Sequence, residues 1–153
     1  MTQRLNFYGI APKAFEPLMA IEAILKGGTL EHALLELVKI RASQINGCAN
    51  CLHMHTSDAR KAGETEARIY LLNAWRESNL YSARERAALA WTEALTLVAE
   101  THAPDADYEA ARALFNDEEL VHLTLAISAI NAWNRIAIGF RTEHPHDRVR
   151  AAA

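Results

Sequence analysis

Apolar residues recur at three- and four-residue spacings along most of this chain and strict alternation is almost absent, so the pattern predicts helices and no sheet. Gly and Pro are few and fall at the joints between the periodic segments. A first helix is expected over residues 14–26, after Pro12 and before Gly27-Gly28, with Phe15, Leu18, Met19, Glu22 and Leu25 on a mostly apolar face. Thr29 is placed to cap a second helix reaching about Ile45, whose stripe is Leu30, Leu34, Leu37, Val38 and Arg41. Asn46-Gly47 ends it. A third helix is expected over about residues 48–62, stopped by Gly63, which accepts a left-handed cap conformation without steric cost.

A shorter helix from Glu66 to about Arg76 follows. Ser82-Ala83-Arg84-Glu85 is a capping box, in which serine and glutamate satisfy orphan backbone donors, and it should open a helix reaching about Glu100. After a break at Ala103-Pro104-Asp105, Asp105 or Asp107 can cap a helix through Leu114. Asn116-Asp117-Glu118-Glu119 is a second capping box, opening a long apolar helix that ends near Gly139. Residues 141–153 include Pro145 and show no apolar period, which predicts a mobile tail or an arm ordered by a neighbouring subunit. The expected architecture is one all-α domain over residues 1–153, with its core at about 14–140. A helix as apolar as 120–138 needs cover on more than one side, which points to a homo-oligomer.

Composition supports that picture and narrows the partners. A chain of 153 residues, half of them hydrophobic, can bury ~70% of the surface its unfolded form exposes. Its net charge of -3, with Lys and Arg scattered among acids, argues against nucleic acid or an anionic membrane surface as partner. Residues 1–8 lack the apolar run of a signal peptide, and no stretch approaches the ~20 apolar residues of a membrane span, so a cytoplasmic location is expected. The two cysteines lie three positions apart, and the loop they close is too short to staple a fold. In a reducing compartment such a pair is expected to be catalytic or metal-binding.

Both cysteines sit in Cys48-Ala49-Asn50-Cys51-Leu52-His53-Met54-His55, with Glu36 twelve positions upstream of Cys48. If Cys48 begins a helix, Cys51 and His55 share its face at ~100° per residue, whereas His53 lies about 200° from Cys51 and points away. That geometry suits a redox dithiol: a helix N-terminus lowers a thiol pKa, an imidazole relays the proton, and the second sulfur resolves an oxidised first one. A thioredoxin-like site would need a strand before Cys48, and none is indicated. A zinc site would need Cys48, Cys51, His55 and a further donor, for which His144 or His146 would have to fold back.

Glu36, then eleven residues, then Cys48-x-x-Cys51-x-x-x-His55, all within helices, resembles the alkylhydroperoxidase D (AhpD) and carboxymuconolactone decarboxylase-like superfamily. The run Lys39-Ile40-Arg41-Ala42-Ser43-Gln44-Ile45-Asn46-Gly47-Cys48 is close to its small single-domain members, and Asn131-Ala132-Trp133-Asn134-Arg135 extends the likeness. The resemblance implies a thiol peroxidase in which Cys51 is oxidised to sulfenic acid by a hydroperoxide, while Cys48 donates a proton and resolves. It further implies that Glu36 orients His55, the two forming a proton relay that favours the Cys51 thiolate. The resemblance implies a trimer or hexamer of such units, and no metal or bound organic cofactor is expected for this chain. The best-known branch has a histidine between its cysteines, where this chain has Asn50, and a dedicated dihydrolipoyl-linked reductant. The decarboxylase branch does not depend on a cysteine pair, so keeping both thiols favours redox chemistry.

The expected function is therefore reduction of hydrogen peroxide or an organic hydroperoxide through a Cys48–Cys51 disulfide, regenerated by a thiol reductant that the sequence leaves open. Two other readings stand beside it: a Cys/His zinc module, and a lyase or isomerase on a small carboxylated metabolite with His55 and Glu36 as acid and base. Ser43 shares the face of Glu36 and is either a hydrogen-bonding neighbour of the site or an ordinary helix serine. His53 and Met54 are expected in packing or subunit contact. Trp75, Trp91 and Trp133 are expected in the core or an interface, and any one of the three is a candidate wall of the peroxide pocket. Asn131, Asn134 and Arg135 interrupt an apolar helix and need partners, for which hydrogen bonding between subunits is the preferred account.

Overall fold

A computed structural model describes residues 2–146, and every regular element among them is helical. They are α1 (Phe7–Ile10), α2 (Glu16–Lys26), α3 (His32–Asn46), α4 (Ala49–Lys61), α5 (Glu66–Leu71), α6 (Ala83–Thr96), α7 (Val98–Thr101), α8 (Asp105–Arg112) and α9 (Asp117–Phe140). Two 3₁₀ segments join them, Pro12–Ala14 and Leu72–Glu77. No helix among the described residues is long and apolar enough to cross a membrane.

The third helix organises the rest. Every residue from 34 to 40 in α3 is buried, because α4, α6 and α9 pack around it. Leu34, Leu35 and Val38 enter the main core with Ala88 and Trp91 of α6 and Leu123, Ala126 and Ile127 of α9, while Leu37 and Ile40 meet Ala59, Leu72, Trp75 and Leu89. Such all-round burial also takes in Glu36 and Lys39, and charges placed there need partners.

Both capping boxes form. The Ser82 hydroxyl accepts from the Glu85 N–H at 3.2 Å and the Glu85 carboxylate accepts from the Ser82 N–H at 2.7 Å; Asn116 and Glu119 repeat the exchange at 2.9 Å each way. Other boundaries differ from expectation. Thr29 does not cap α3: the N-cap is Glu31, held extended while its carboxylate accepts from Arg84 Nε at 3.0 Å, which leaves Leu30 to enter the core from the connection. Thr29 and Leu30 thus precede the helix. The helix from Ala83 ends at Thr96, and Leu97 (φ -100°, ψ 29°) separates it from α7; Thr101 Oγ1 donates to the Ala94 carbonyl at 2.6 Å across that break. The segment after Glu66 tightens at Leu72, where Trp75 turns inward to donate to Glu93 at 2.8 Å. Asp105 is the first residue of α8 rather than its cap, which is Pro104.

Two further expectations are corrected. Asn131 and Asn134 find partners within their own chain: Asn46 Nδ2 donates to both side-chain oxygens (2.9 and 2.8 Å), Asn134 donates to Ser43 Oγ at 3.0 Å, and Asn131 donates to Thr96 Oγ1 at 3.1 Å. Arg135 donates to Asn131 in turn. This network stitches α9 to α3 and α6, and the Ser43 hydroxyl serves that joint. The C-terminal arm, expected to be loose or held by a neighbour, has contacts within its own chain through residue 146. Arg4 N–H donates to the Phe140 carbonyl at 2.9 Å, Gln3 N–H to Glu143 at 3.3 Å, and His144 and His146 lie against His53. Residues 147–153 lie outside the described part.

Candidate active site

The turn from α3 to α4 places the cysteines. Gly47 adopts φ 71°, ψ 35°, and the Cys48 N–H returns to the Ser43 carbonyl at 3.0 Å, closing α3 in a left-handed cap that glycine takes without strain. Cys48 is then the N-cap of α4 in an extended conformation, its sulfur accepting from the Cys51 N–H at 3.4 Å. The helix therefore begins at Ala49, one residue later than expected, with Cys51 in its first turn. The two sulfurs are joined as a disulfide. Both lie in a small buried cluster with Ala42, Ile130 and Ala137, with Trp133 packed against it.

One turn beyond Cys51, His55 is buried and its Nδ1 lies 2.9 Å from Glu36 Oε2. An ionised carboxylate only accepts, so Nδ1 carries the proton of that bond and Nε2 is the nitrogen left to exchange one. Glu36 reaches His55 because α3 and α4 pack side by side, and its other oxygen is 3.8 Å from Nε2 of the half-exposed His32, one turn earlier on α3. Next to this pair, the buried Lys39 ammonium donates to Glu22 of α2 at 2.6 Å.

Cys51 and His55 border one pocket of about 360 Å³. Glu22 and Asn50 add polar edges, and Phe7, Tyr8, Met19, Met54, Trp133 and Ile136 supply most of the wall. The aromatic side is a stack: Phe7 lies 4.9 Å from Phe15 and 5.4 Å from Phe140, and Trp133 lies 6.2 Å from Phe15 and 6.3 Å from Tyr8 between ring centroids. Burial pushes the Tyr8 hydroxyl pKa up, which keeps it a neutral donor at ordinary pH. Cys48 borders a different pocket, of about 400 Å³, with Gly47, Ala49, Asn50, Ile138, Arg141 and His144 on its walls.

The structure thus brings together the four residues singled out in the sequence, Glu36, Cys48, Cys51 and His55, and turns His53 away as its helical angle requires. Among the tryptophans Trp133 walls the Cys51 pocket, whereas Trp75 and Trp91 are core residues hydrogen-bonded to Glu93 and Thr124. Sequence reasoning missed Phe7 and Tyr8, Glu22 with its partner Lys39, and Arg141. The aromatic pair Phe7-Tyr8 ahead of Phe15 was a signal, but nothing in helical periodicity says that an N-terminal segment crosses to a site more than forty residues on. Among the described residues no three His, Cys, Asp or Glu side chains are grouped so as to hold a metal ion. His144 and His146 do fold back, but onto His53, at 5.8 and 5.1 Å between centroids.

Comparison with known proteins gives the chain its family. The model of the carboxymuconolactone decarboxylase family matches residues 12–94. The uncharacterized protein YdfG of Bacillus subtilis is 48% identical over 138 residues, covering 90% of this chain and 94% of that protein. A crystal structure from Agrobacterium tumefaciens superimposes with a TM-score of 0.91 at 49% identity, covering 94% of this chain and 99% of the other. That protein is described as of unknown function, with a suggested assignment to antioxidant defence as AhpD. The debrominase Bmp8 shares the fold alone, at 18% identity and a TM-score of 0.74 over 89% of this chain and 73% of its own. With its family model matched over more than half its length and a relative nearly half identical over 90% of it, the chain belongs to the carboxymuconolactone decarboxylase family, within the AhpD-like superfamily.

Proposed function

We propose that the protein is a thiol-dependent hydroperoxide reductase acting in a reducing compartment, without metal or bound organic cofactor. The observation that carries this reading is the buried Glu36–His55 hydrogen bond on the same pocket as one sulfur of a bonded dithiol. A disulfide alone suits many proteins. A disulfide with a proton carrier fixed one helical turn away suits chemistry that makes and uses a thiolate.

In the first step the Cys51 thiolate attacks the terminal oxygen of ROOH, the O–O bond breaks, and the departing alkoxide takes a proton from His55, which lines the Cys51 pocket, instead of from Cys48, which lines the other, giving Cys51 sulfenic acid and ROH. In the second, the Cys48 thiol condenses with the sulfenic acid, forming the disulfide and releasing water. Two equivalents of external thiol then restore the dithiol. Attack falls to Cys51 because it borders the pocket of His55, whereas Cys48 borders the other. The aromatic and Met-lined wall favours an organic hydroperoxide over hydrogen peroxide, since an apolar R group gains from leaving water there.

The test is steady-state reduction of cumene hydroperoxide with excess dithiothreitol. Cys51→Ser is expected to abolish turnover with the fold retained by circular dichroism. Without external thiol, Cys48→Ser is expected to consume about one equivalent of peroxide in forming Cys51 sulfenic acid and a second as that passes to sulfinic acid, and then to stop. Undiminished turnover by Cys51→Ser would defeat the assignment, and a metabolite-directed activity surviving loss of both cysteines would put a lyase in its place.

A further inference from the structure

The two cysteines, both buried, line neighbouring pockets that share Asn50, Ala137 and Thr142 as a common wall. Cys51 borders the aromatic pocket with His55 and Glu22, while Cys48 borders a pocket of about 400 Å³ formed by that turn and the C-terminal end of α9. The second pocket differs in its charged lining. Its charged wall is Arg141, an exposed residue at φ 54° just past α9, which makes no ion pair among the described residues. The nearest acid along the chain, Glu143, does not line the pocket and is engaged by the Gln3 N–H at 3.3 Å. The Cys51 pocket has Glu22 on its edge, with its charge paired to Lys39 at 2.6 Å.

From this division we infer that the disulfide is reduced from the Cys48 side, by a small thiol carrying a carboxylate that Arg141 binds. The inference rests on the peroxidase reading only for its place in the cycle, since disulfide reduction can be measured without peroxide. The reductant thiolate attacks Cys48 Sγ, forming a mixed disulfide there and breaking the Cys48–Cys51 bond, whose electron pair leaves on Cys51. A second thiolate then attacks the reductant's sulfur in the mixed disulfide, releasing an external disulfide and the Cys48 thiolate, which takes a proton from solvent. Both electrons come from the two external thiols.

Two features favour this direction over attack at Cys51. The faster leaving group in thiol exchange is the thiolate better supported by its surroundings. Cys51 lies in the first turn of the 13-residue helix α4, facing the pocket of His55, so it departs into the place where it is next needed. The second feature is access. A reductant entering by the Cys48 pocket leaves the aromatic pocket to hydroperoxide, and it meets a guanidinium that pairs with carboxylate in fixed geometry.

The experiment takes the oxidised protein and follows its reduction by 3-mercaptopropionate, 2-mercaptoethanol and cysteamine, each rate corrected to the thiolate present. The acid-quenched intermediate is then mapped by peptide mass spectrometry. The anionic thiol is expected to be faster than the neutral one by roughly tenfold and the cationic one slower. Arg141→Gln should bring the anionic-to-neutral ratio to within about twofold of one, and Arg141→Lys should keep most of the preference. The adduct is expected on Cys48. Equal corrected rates for the three thiols, a preference that survives Arg141→Gln, or an adduct on Cys51 would each overturn the inference. None of those results bears on whether Cys51 reduces hydroperoxide.

Discussion

Glu36 is a carboxylate in the middle of the most enclosed helix, where an unpaired charge would be strongly unfavourable, and its direct partner at 2.9 Å is the imidazole of His55. Its position is thus accounted for by the site more readily than by stability. If the pair manages the proton, Glu36→Gln keeps the shape and a hydrogen bond to Nδ1 but removes the charge that balances an imidazolium. The rate of Cys51 oxidation should fall by about tenfold to a hundredfold with the melting temperature nearly unchanged, as stopped-flow fluorescence and a thermal melt can show. An unaltered rate would make Glu36 a packing residue. Of the site itself, the cysteines, His55 and Glu36 were legible because helical spacing fixes which side chains share a face and the family pattern supplies the distant acid. Glu22 and Lys39 were not. Glu22 reads only as a polar position on a mostly apolar helix face and Lys39 as one residue of the family-like run, until the packing of α2 on its neighbours shows the two side chains joined at 2.6 Å.

At the scale of elements, strong local signals survived and weak ones yielded to packing. Both capping boxes and the stop at Gly47 formed where the sequence put them, because each is a complete local exchange of hydrogen bonds. Thr29, a capping type with no reciprocal partner, lost to the burial of Leu30. The polar positions in α9 were visible, but not that Asn46 and Ser43 of α3 would satisfy them in the same chain. A second joint is Glu93 of α6, which accepts from Arg41 Nε (2.8 Å), Arg76 Nη2 (2.7 Å) and Trp75 Nε1 (2.8 Å). Burial alone would push its carboxyl pKa up, but the hydrogen bonds from Trp75, Arg76 and Arg41 outweigh that and hold it below the ordinary value. A carboxylate depressed in the folded state contributes stability that is present above its unfolded pKa and is lost as pH falls through the folded one. Urea unfolding should therefore show lower midpoints between about pH 5 and pH 3. Glu93→Gln should cost about 1–2 kcal/mol at pH 7 and shrink that acid-side loss. Equal pH dependence in the two proteins would remove Glu93 from the account.

For the whole molecule, the N-terminal segment and the arm after α9 meet over the site. Arg4 pairs with the end of α9, Phe7 stacks on Phe140, and residues 141–144 pass the Cys48 pocket, so both chain ends contribute to walls that the central motif does not supply. Helical periodicity describes faces within segments and is silent about such crossings, which is why this part of the site was not legible in the sequence. Apolar side chains also remain exposed on several helices, among them Ile24, Val98, Val121 and Ile138. They support the proposal that the chain assembles, and sedimentation velocity should give three or six times the 17.0 kDa chain mass; a monomer at micromolar concentration would contradict it. The central claim is the redox cycle, and a single turnover addresses it most directly. Fully reduced protein is mixed with less than one equivalent of cumene hydroperoxide while peroxide, alcohol and free thiols are counted together. The account predicts alcohol formed in step with peroxide lost, both cysteine thiols disappearing for each peroxide consumed, and no reaction in Cys51→Ser. Peroxide consumed no faster than by free cysteine, with both thiols still titratable, would contradict it.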